Sequence, residues 1–334
     1  MEPRLESTPL SRAPDVPLVS VLLPVRDAAA HLPDCLRSIQ RQSLQTFELL
    51  VIDDGSTDAT AEQVRSAARI DPRIRHLCLI GRRGLVAALQ HGLNHARAEL
   101  VARMDGDDLM HPRRLELQVA CLQADPGLGL VASRVRAFPR DHIGVGMRAY
   151  LDWQDGCRTA EQMALGIYVE APFVHPTVMF RKSVVAAAGG YRGGDFPEDY
   201  ELWLRLQSLG VRMHKLNRAL LHWRQHPHSA SRTDPRYRRE AFDRLRVDYL
   251  RRDPRIGSRP LVFWGAGRRT RRRAALLMQA GHAPVAWIDV DPRKIGNRIA
   301  GVPVHPPHWL DSETSRRLRP LVLNFVASHG AREL

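Results

Sequence analysis

The chain has 334 residues, 44% hydrophobic, 26% charged and 6% aromatic, an ordinary globular composition that excludes wholesale disorder. That length accommodates two domains of ~100–200 residues, with enough core to need no disulfide or metal staple. Lys+Arg of 50 against Asp+Glu of 36 gives a formal charge of +14, nearly all of it from arginine, whose planar fork matches phosphates and carboxylates. Nucleic acid, an anionic membrane surface and a phosphorylated small molecule all fit such a charge.

Cys35, Cys78, Cys121 and Cys157 stand far apart with no CxxC pair. The spacing excludes a zinc ribbon, argues against a secreted disulfide scaffold and makes a reducing cytosol the default compartment. No apolar run reaches the ~18 residues of a membrane span. Residues 1–17 are rich in Pro, Ser and charge, so a flexible leader is expected there and not a signal peptide.

From Leu18 to about Ala137, short β-rich runs alternate with amphipathic stretches. Val19–Pro24 reads as a buried strand, and Leu32, Cys35, Leu36 and Ile39 fall on one helical face. Phe47–Ile52 is a second strand running into Asp53-Asp54-Gly55-Ser56, with Ser56 to Asp58 as N-cap candidates for a helix carrying Ala61, Val64 and Ala68. Ile74–Ile80 is a third strand, and Leu85, Leu89 and Leu93 mark the next helix. Leu100–Met104 is a fourth strand, ending at Asp105-Gly106-Asp107-Asp108. This alternation predicts an α/β fold with a mostly parallel sheet covered on both faces. Helices are expected at Ala160–Gly166, Glu198–Leu209 and Asp234–Arg252, with strands at Thr177–Phe180 and Arg218–Trp223. The pattern breaks around Arg252–Arg259. A new βαβ unit then follows, with a strand at Leu261–Trp264, a Gly265-Ala-Gly267 turn, a helix at Arg268–Gln279, a strand at Val285–Ile288 and a further strand at Pro320–Ala327. The expected organisation is a leader (1–17), a first domain (18–253) and a small Rossmann-like domain (258–334).

Both acidic clusters sit just past strand ends, where ligands bind in open parallel sheets. Asp105, Asp107 and Asp108 place three carboxylates within four residues, and such crowding raises their pKa values unless something compensates. Mg²⁺ or Mn²⁺ would relieve it while leaving positions open for a diphosphate; the plainer reading is an Asp-rich turn. Asp53 and Asp54 read either as turn chemistry or as acceptors for a base or ribose. Glu198 and Asp199 open a helix, where they complement its dipole or supply a general base if burial lifts the pKa.

Together these segments resemble the family-2 glycosyltransferases of GT-A fold. The carrying residues are Val19-Ser-Val-Leu-Leu-Pro-Val-Arg26, Val51-Ile-Asp-Asp-Gly-Ser-Thr-Asp58, Arg83-Gly-Leu85, Met104-Asp-Gly-Asp-Asp108 and Pro197-Glu-Asp-Tyr-Glu-Leu-Trp203. The resemblance runs from Val19 to about Arg232. It implies that Asp54, with Asp53 beside it, contacts the nucleotide base, and that Pro24, Arg26, Arg83, Gly84, Asp105 and Gly106 lie against the nucleotide sugar. It also implies a metal, Mn²⁺ or Mg²⁺, on Asp105, Asp107 and Asp108 with His226 nearby. Asp199 would be the base that deprotonates an acceptor hydroxyl, and Glu198 its neighbour. Relatives often carry an aromatic residue at the position of Arg26, where a flat guanidinium can also stack. His175 falls on the acceptor side, while His222 and His228 read as ordinary surface or core histidines. An inverting displacement follows, with a nucleoside-diphosphate sugar as donor and a glycan or lipid-linked acceptor. Related bacterial enzymes often build surface polysaccharides at the inner membrane face, where an arginine-rich surface could dock peripherally.

Gly265, Gly267 and Asp289 support a second reading, an NAD(P)-binding oxidoreductase. It leaves the acidic clusters unexplained, and Arg268, Arg269, Arg271, Arg272 and Arg273 there read as an anion-binding or merely solvated helix face. A nucleic-acid partner ranks last, because aromatics are sparse and no helix-turn-helix, zinc-finger or RRM signature appears.

Overall fold

A computed structural model describes residues 16–326 apart from position 228. Residues 1–15 of the expected leader, His228 and the last eight positions of the expected second domain lie outside the described residues. Pro17 is buried, and the Leu18 N–H donates to Thr46 O at 2.8 Å just ahead of the first strand.

The first elements are β1 (Val19–Val25), α1 (Leu32–Gln40), β2 (Phe47–Asp53), α2 (Thr60–Ile70), β3 (Ile74–Cys78), α3 (Leu85–His95) and β4 (Leu100–Arg103). β1 pairs in parallel with β2 and β4, and β2 in parallel with β3. Every residue of β1 and β2 is buried, because helices cover both faces and apolar side chains therefore run continuously. Leu22, Leu50 and Ile52 point to one core layer with Leu89 and Leu93 of α3. Val21, Leu23, Leu49 and Val51 point to the other, against Cys35 and Ile39 of α1 and Val64 of α2. Gly92 lets α3 lie close on the sheet: a Cβ there would come within 2.8 Å of Ile52 Cδ1.

The N-cap expected among Ser56 to Asp58 does not form. The cap position of α2 is Ala59, with no side-chain bond. Ser56 Oγ accepts from Asp27 N–H at 3.0 Å, and Asp58 Oδ2 accepts from Ala29 N–H at 3.0 Å. These polar residues fasten the loop after β2 to the loop after β1, while the other Asp58 oxygen, Oδ1, accepts from the Thr60 N–H at the start of α2 at 2.9 Å.

The chain continues through β5 (Leu109–Met110), α4 (Arg114–Ala124), β6 (Leu128–Phe138), α5 (Val145–Gly156), α6 (Ala160–Gly166), β7 (Met179–Arg181) and α7 (Lys182–Ala187). It closes this region with α8 (Glu198–Ser208), β8 (Arg212–Arg224), α9 (Ala230–Thr233), α10 (Arg239–Leu250) and α11 (Pro254–Ser258). The large sheet has the order β3-β2-β1-β4-β7-β6-β8-β5. Its first half is parallel, as predicted. β7 runs antiparallel to both β4 and β6, and β5 antiparallel to β8, so the second half is mixed. β8 is longer than the predicted Arg218–Trp223 because it follows β6 in parallel from end to end.

A second sheet comprises β9 (Leu261–Trp264), β10 (Pro284–Ile288), β11 (Arg298–Ile299), β12 (Val302–His305) and β13 (Leu321–Asn324), with α12 (Arg268–Gln279) and α13 (Glu313–Leu318) between strands. Its order is β11-β12-β10-β9-β13, parallel except for β11. Leu250 and Ile256 of the first region pack with Phe263, Leu277 and Trp287 of the second.

A buried carboxylate ties the first half together. Glu48 Oε1 accepts from Ser20 Oγ at 2.6 Å and Arg97 N–H at 2.7 Å, and its Oε2 from Arg75 Nη1 at 2.6 Å and Arg97 Nε at 2.9 Å. Burial works to raise this pKa, but the four bonds hold it below the ordinary value. Glu48→Ala should therefore lower unfolding stability by about 2–4 kcal/mol, since removing one partner strands the others. Urea denaturation near neutral pH checks this. The wild-type protein should lose the same contribution as pH falls through the depressed pKa.

Candidate active site

The strand order reverses between β1 and β4: the chain leaves β1 for β2 and β3 on one side, then returns to β4 on the other. Loops diverge at such a switch point and leave a crevice at the carboxyl ends of the strands. The turn after β4, Asp105 to Asp108, lies there.

Asp105 ion-pairs with Nη1 of Arg103, a buried guanidinium at the end of β4. Arg103 is anchored from behind, where Nη2 of the buried Arg114 donates to its carbonyl at 2.9 Å. Burial drives the Arg114 pKa down to about 9. Gly106 is buried, with Val25 Cγ1 only 3.1 Å from where a Cβ would sit. Asp107 Oδ2 lies 2.9 Å from His226 Nε2. Asp108 is fully buried, and its Oδ1 accepts from Arg224 N–H at 2.7 Å while Oδ2 has no hydrogen-bond partner. Ligand atoms of Asp105, Asp107 and Asp108 lie within 4.8 Å of one another. Burial raises the pKa of both Asp105 and Asp108, and the neighbouring carboxylates push Asp108 further. A cluster of hard oxygen donors with one orphaned buried oxygen suits a divalent cation of the Mg²⁺ or Mn²⁺ kind.

The antiparallel register of β5 on β8, Leu109 against His222 and Met110 against Leu221, delivers Arg224 and His226 to this turn. Arg224 Nε also donates to Asp107 O at 2.7 Å, and its guanidinium lies 4.6 Å over the Phe138 ring.

Glu198 and Asp199 begin α8 on the far wall. Glu198 is 1% exposed and accepts from Tyr237 Oη at 2.9 and 2.8 Å on its two oxygens. Asp199 accepts from the Tyr200 N–H at 2.7 Å. Burial, then the Glu198 charge, pushes the Asp199 pKa up to about 7. α8 is held in turn by the Glu201–Arg205 pair at 2.8 Å and by Tyr249 Oη on Glu201 at 2.6 Å. His175 is buried, with Nε2 3.1 Å from Tyr191 Oη and Nδ1 3.8 Å from Glu198. Burial and the Arg103 charge keep it neutral.

One cavity of about 450 Å³ joins these two groups, with Arg103, Asp105, Asp107, His175, Glu198 and Asp199 all in its wall. Pro24, Arg26, Asp53, Asp54, Arg83, Gly84, Gly106, Asp108 and His226 are outside that lining. Pro24 is buried in β1 opposite Ile52, and Arg26 is exposed with Nε 3.5 Å from Asp27. Asp53 Oδ1 accepts from Ser56 N–H at 2.8 Å. Asp54 accepts from Arg83 N–H at 2.6 Å and from Gly84 N–H at 2.9 Å, fastening the turn that leads into α3. His222 sits in β8 with its ring 6.2 Å from Phe138.

Sequence reasoning passed over Arg103, Arg114, Arg224 and Tyr237. A basic residue inside an apolar strand, directly ahead of an acidic turn, was a usable signal for Arg103; Tyr237 offered none.

The chain matches the family model described as Glycosyl transferase family 2 over residues 20–188. It belongs to glycosyltransferase family 2. EpsE of Bacillus subtilis is 35% identical over 61% of this chain and 72% of its own length. The amylovoran biosynthesis glycosyltransferase AmsE of Erwinia amylovora is 32% identical over 58% of this chain and 71% of its own. Among solved structures, the mannosyltransferase PcManGT of Pyrobaculum calidifontis, in complex with GDP-Man and Mn²⁺, superposes with a TM-score of 0.51 at 24% identity. That match covers 73% of this chain and 65% of the other, and it shows a shared fold. In this family-2 glycosyltransferase the GT-A architecture expected from the sequence is present. The oxidoreductase reading finds no support. Asp289 Oδ2 accepts from Ala266 N–H at 2.7 Å and lies 3.2 Å from Lys294 Nζ, so this carboxylate holds the glycine turn itself.

Removing the Asp54 carboxylate frees two loop N–H groups. Asp54→Ala should cost about 1–3 kcal/mol of stability and hasten proteolysis within residues 80–84, read by denaturant midpoint and by mass mapping of the cuts.

Proposed function

We propose that this chain moves a sugar from a nucleoside-diphosphate sugar to a hydroxyl of a glycan or lipid-linked acceptor, inverting the anomeric configuration, with Mn²⁺ or Mg²⁺ as cofactor. The observation that carries this reading is the single cavity with Asp105 and Asp107 on one wall and Asp199 on the other.

Asp105, Asp107 and Asp108 would hold the metal, with His226 against Asp107. When bound, the metal neutralises negative charge on the departing nucleoside diphosphate. The nucleotide would lie across the ends of β1 and β2, with Pro24, Arg26, Asp53 and Asp54 on that side and Arg83, Gly84 and Gly106 along its path. Asp199 takes the acceptor's proton as oxygen attacks the anomeric carbon from the face opposite the leaving group. A pKa of about 7 suits a base at neutral pH, because it balances ionised fraction against proton affinity. Glu198, fixed by Tyr237, keeps negative charge beside Asp199, while Arg103 supplies the opposing cation. His175 is a neutral wall group on the acceptor side. An oxocarbenium-like transition state resembles that of glycoside hydrolysis, and one displacement gives inversion.

The name of AmsE places that relative in polysaccharide synthesis, which supports a surface polysaccharide or glycolipid product here. No helix among the described residues is long and apolar enough to cross a membrane. The +14 charge fits peripheral docking at the inner face of a membrane from the cytoplasm. The C-terminal unit, expected from sequence to be Rossmann-like, would serve as a packing or regulatory module for the first region.

Asp199→Asn should reduce transfer by about 10²–10⁴-fold while leaving donor affinity by calorimetry unchanged; loss of donor binding would make Asp199 structural. Because the raised pKa must be passed before the base is ionised, wild-type kcat/KM should climb with pH and level off above about 7. Proton NMR of the first product should show the inverted anomer, and retention would defeat the single-displacement reading. Chelation should abolish transfer, with Mn²⁺ restoring it, and Asp107→Ala should weaken Mn²⁺ binding by calorimetry. Full activity in the chelated enzyme would refute the metal.

A further inference from the structure

The junction between the two sheets holds a second cavity of about 240 Å³, which shares no lining residue with the first. Leu165, Leu250, Ile256, Leu323 and Phe325 give it apolar walls, and Leu165 is 60% exposed. Arg273 of α12 also lines it. That side chain is only 12% exposed, and its one charge partner is Asp243 Oδ1, 3.4 Å from Nε. Among the described residues the Arg273 guanidinium makes no hydrogen bond. The same Asp243 oxygen takes Arg246 Nη1 at 2.7 Å, so one carboxylate oxygen serves two arginines. Arg255, at the rim, is already gripped by Asp253 at 2.9 and 2.6 Å. Glu170 acts on Arg246 and Arg273 only as a weaker, longer-range charge, and it lines the other cavity.

A guanidinium that is 12% exposed and makes no hydrogen bond among the described residues keeps donors open to a ligand; burial depresses the Arg273 pKa. A planar fork with open donors, facing a space with aliphatic walls, calls for a charged head on an apolar body. Junctions between packed units are also where small-molecule pockets concentrate. We propose that this cavity is a binding site for an amphipathic anion, a phosphate or carboxylate on a single aliphatic chain, with Arg273 as the headgroup ligand. The head takes the N–H groups that Asp243 leaves open, and the chain lies along Leu250, Ile256 and Leu323. Arg246 connects this site to the catalytic helix, since its Nε donates to Tyr200 Oη at 3.3 Å and Tyr200 follows Asp199. The site stands independently of the donor and acceptor chemistry proposed above.

Calorimetric titration of the full chain with dodecyl phosphate, below its aggregation concentration, tests the site. Inorganic phosphate and neutral dodecyl maltoside serve as comparators. One-to-one binding is expected, weakened roughly tenfold or more in Arg273→Gln and lost in Ala164→Trp, which fills the cavity from α6. Both comparators should bind at least about tenfold more weakly. Co-sedimentation with phosphatidylglycerol vesicles that disappears in Ala164→Trp would mark the source as a membrane lipid; dodecyl phosphate binding without co-sedimentation would mark a free amphiphile. No binding of dodecyl phosphate, equal binding of the neutral comparator, or undiminished binding in both variants overturns the proposal. Should Arg273→Gln fail to fold, the headgroup comparison on wild type and the Ala164→Trp result decide it alone.

Discussion

Three carboxylates at the end of β4 repel one another, and much of the surrounding structure serves to keep them together. Asp105 is answered by Arg103, Asp107 by His226, and Asp108 by the N–H of Arg224. Each answer carries its own structural demand. Arg103 is a cation inside a strand that otherwise buries only apolar side chains, and its carbonyl must be pinned by a second buried arginine, Arg114. Arg224, at the end of β8, and His226, just beyond it, lie more than a hundred positions later, and β8 must hold its register on β5 for them to reach the turn. These compensations remain incomplete, because Asp108 Oδ2 stays without a partner. A protein that only needed a turn after β4 would gain stability by placing Asn, Ser or Gly there. Retaining three acids under such strain is what makes a cation-binding role the economical explanation.

The topology turns that local arrangement into a site. The parallel half of the sheet brings the ends of β1, β2 and β4 to one edge, and its strand-order reversal leaves the crevice. The mixed half supplies the opposite wall: antiparallel β7 ends the parallel run, and α8 enters with its acidic first turn facing the cavity. The loops after β1 and β2 are bonded to each other through Asp27, Ser56, Thr57 and Asp58. Asp54 then reaches across to Arg83 and Gly84. The β1 and β2 side of the crevice is therefore a set of mutually bonded turns, while the opposite wall is a braced helix. Side chains placed on such walls hold their separation without waiting for a ligand to order them.

The parallel half was legible from sequence because its signals are local. Period-3.6 apolar positions gave the buried face of α1, and continuous apolar runs gave β1 and β2. The acidic clusters announced themselves by falling at strand ends. What the sequence hid depends on distant pairing. β6, which builds the middle of the sheet, has apolar residues interrupted by Ser133, Arg134 and Arg136, so no clean period marks it. The extent of β8 is set by its partner, and its own residues, including Arg218 and Lys215, look indifferent to strand or loop. The polar stretch Ser56 to Asp58 carries the right residues for a helix cap, yet the neighbouring loop takes Ser56 Oγ and Asp58 Oδ2, leaving only Asp58 Oδ1 for the Thr60 N–H. Tyr237 is invisible in the same way: its importance comes only from standing over Glu198 in three dimensions.

Glu198 and Asp199 show how neighbouring acids acquire different properties from one helix start. Both occupy a first turn, where backbone N–H groups favour negative charge, so dipole alone would treat them alike. Their surroundings separate them. Glu198 is nearly closed off, with the one Tyr237 O–H shared between its two oxygens and its side chain packed near His175. It borders the cavity but is only 1% exposed. Asp199 keeps part of its surface in the cavity and spends one oxygen on the Tyr200 N–H alone. The fixed negative charge of the first acid then raises the proton affinity of the second, as in other sites where paired carboxyls are driven apart by environment. Exchanging Glu198 for a neutral residue would therefore lower the proton affinity of Asp199, making the more buried acid a setting for the less buried one. The same logic explains why Tyr237 and Tyr249, both outside the helix, are bonded to acids of its first turn: a charge can tune its neighbour only if it does not move.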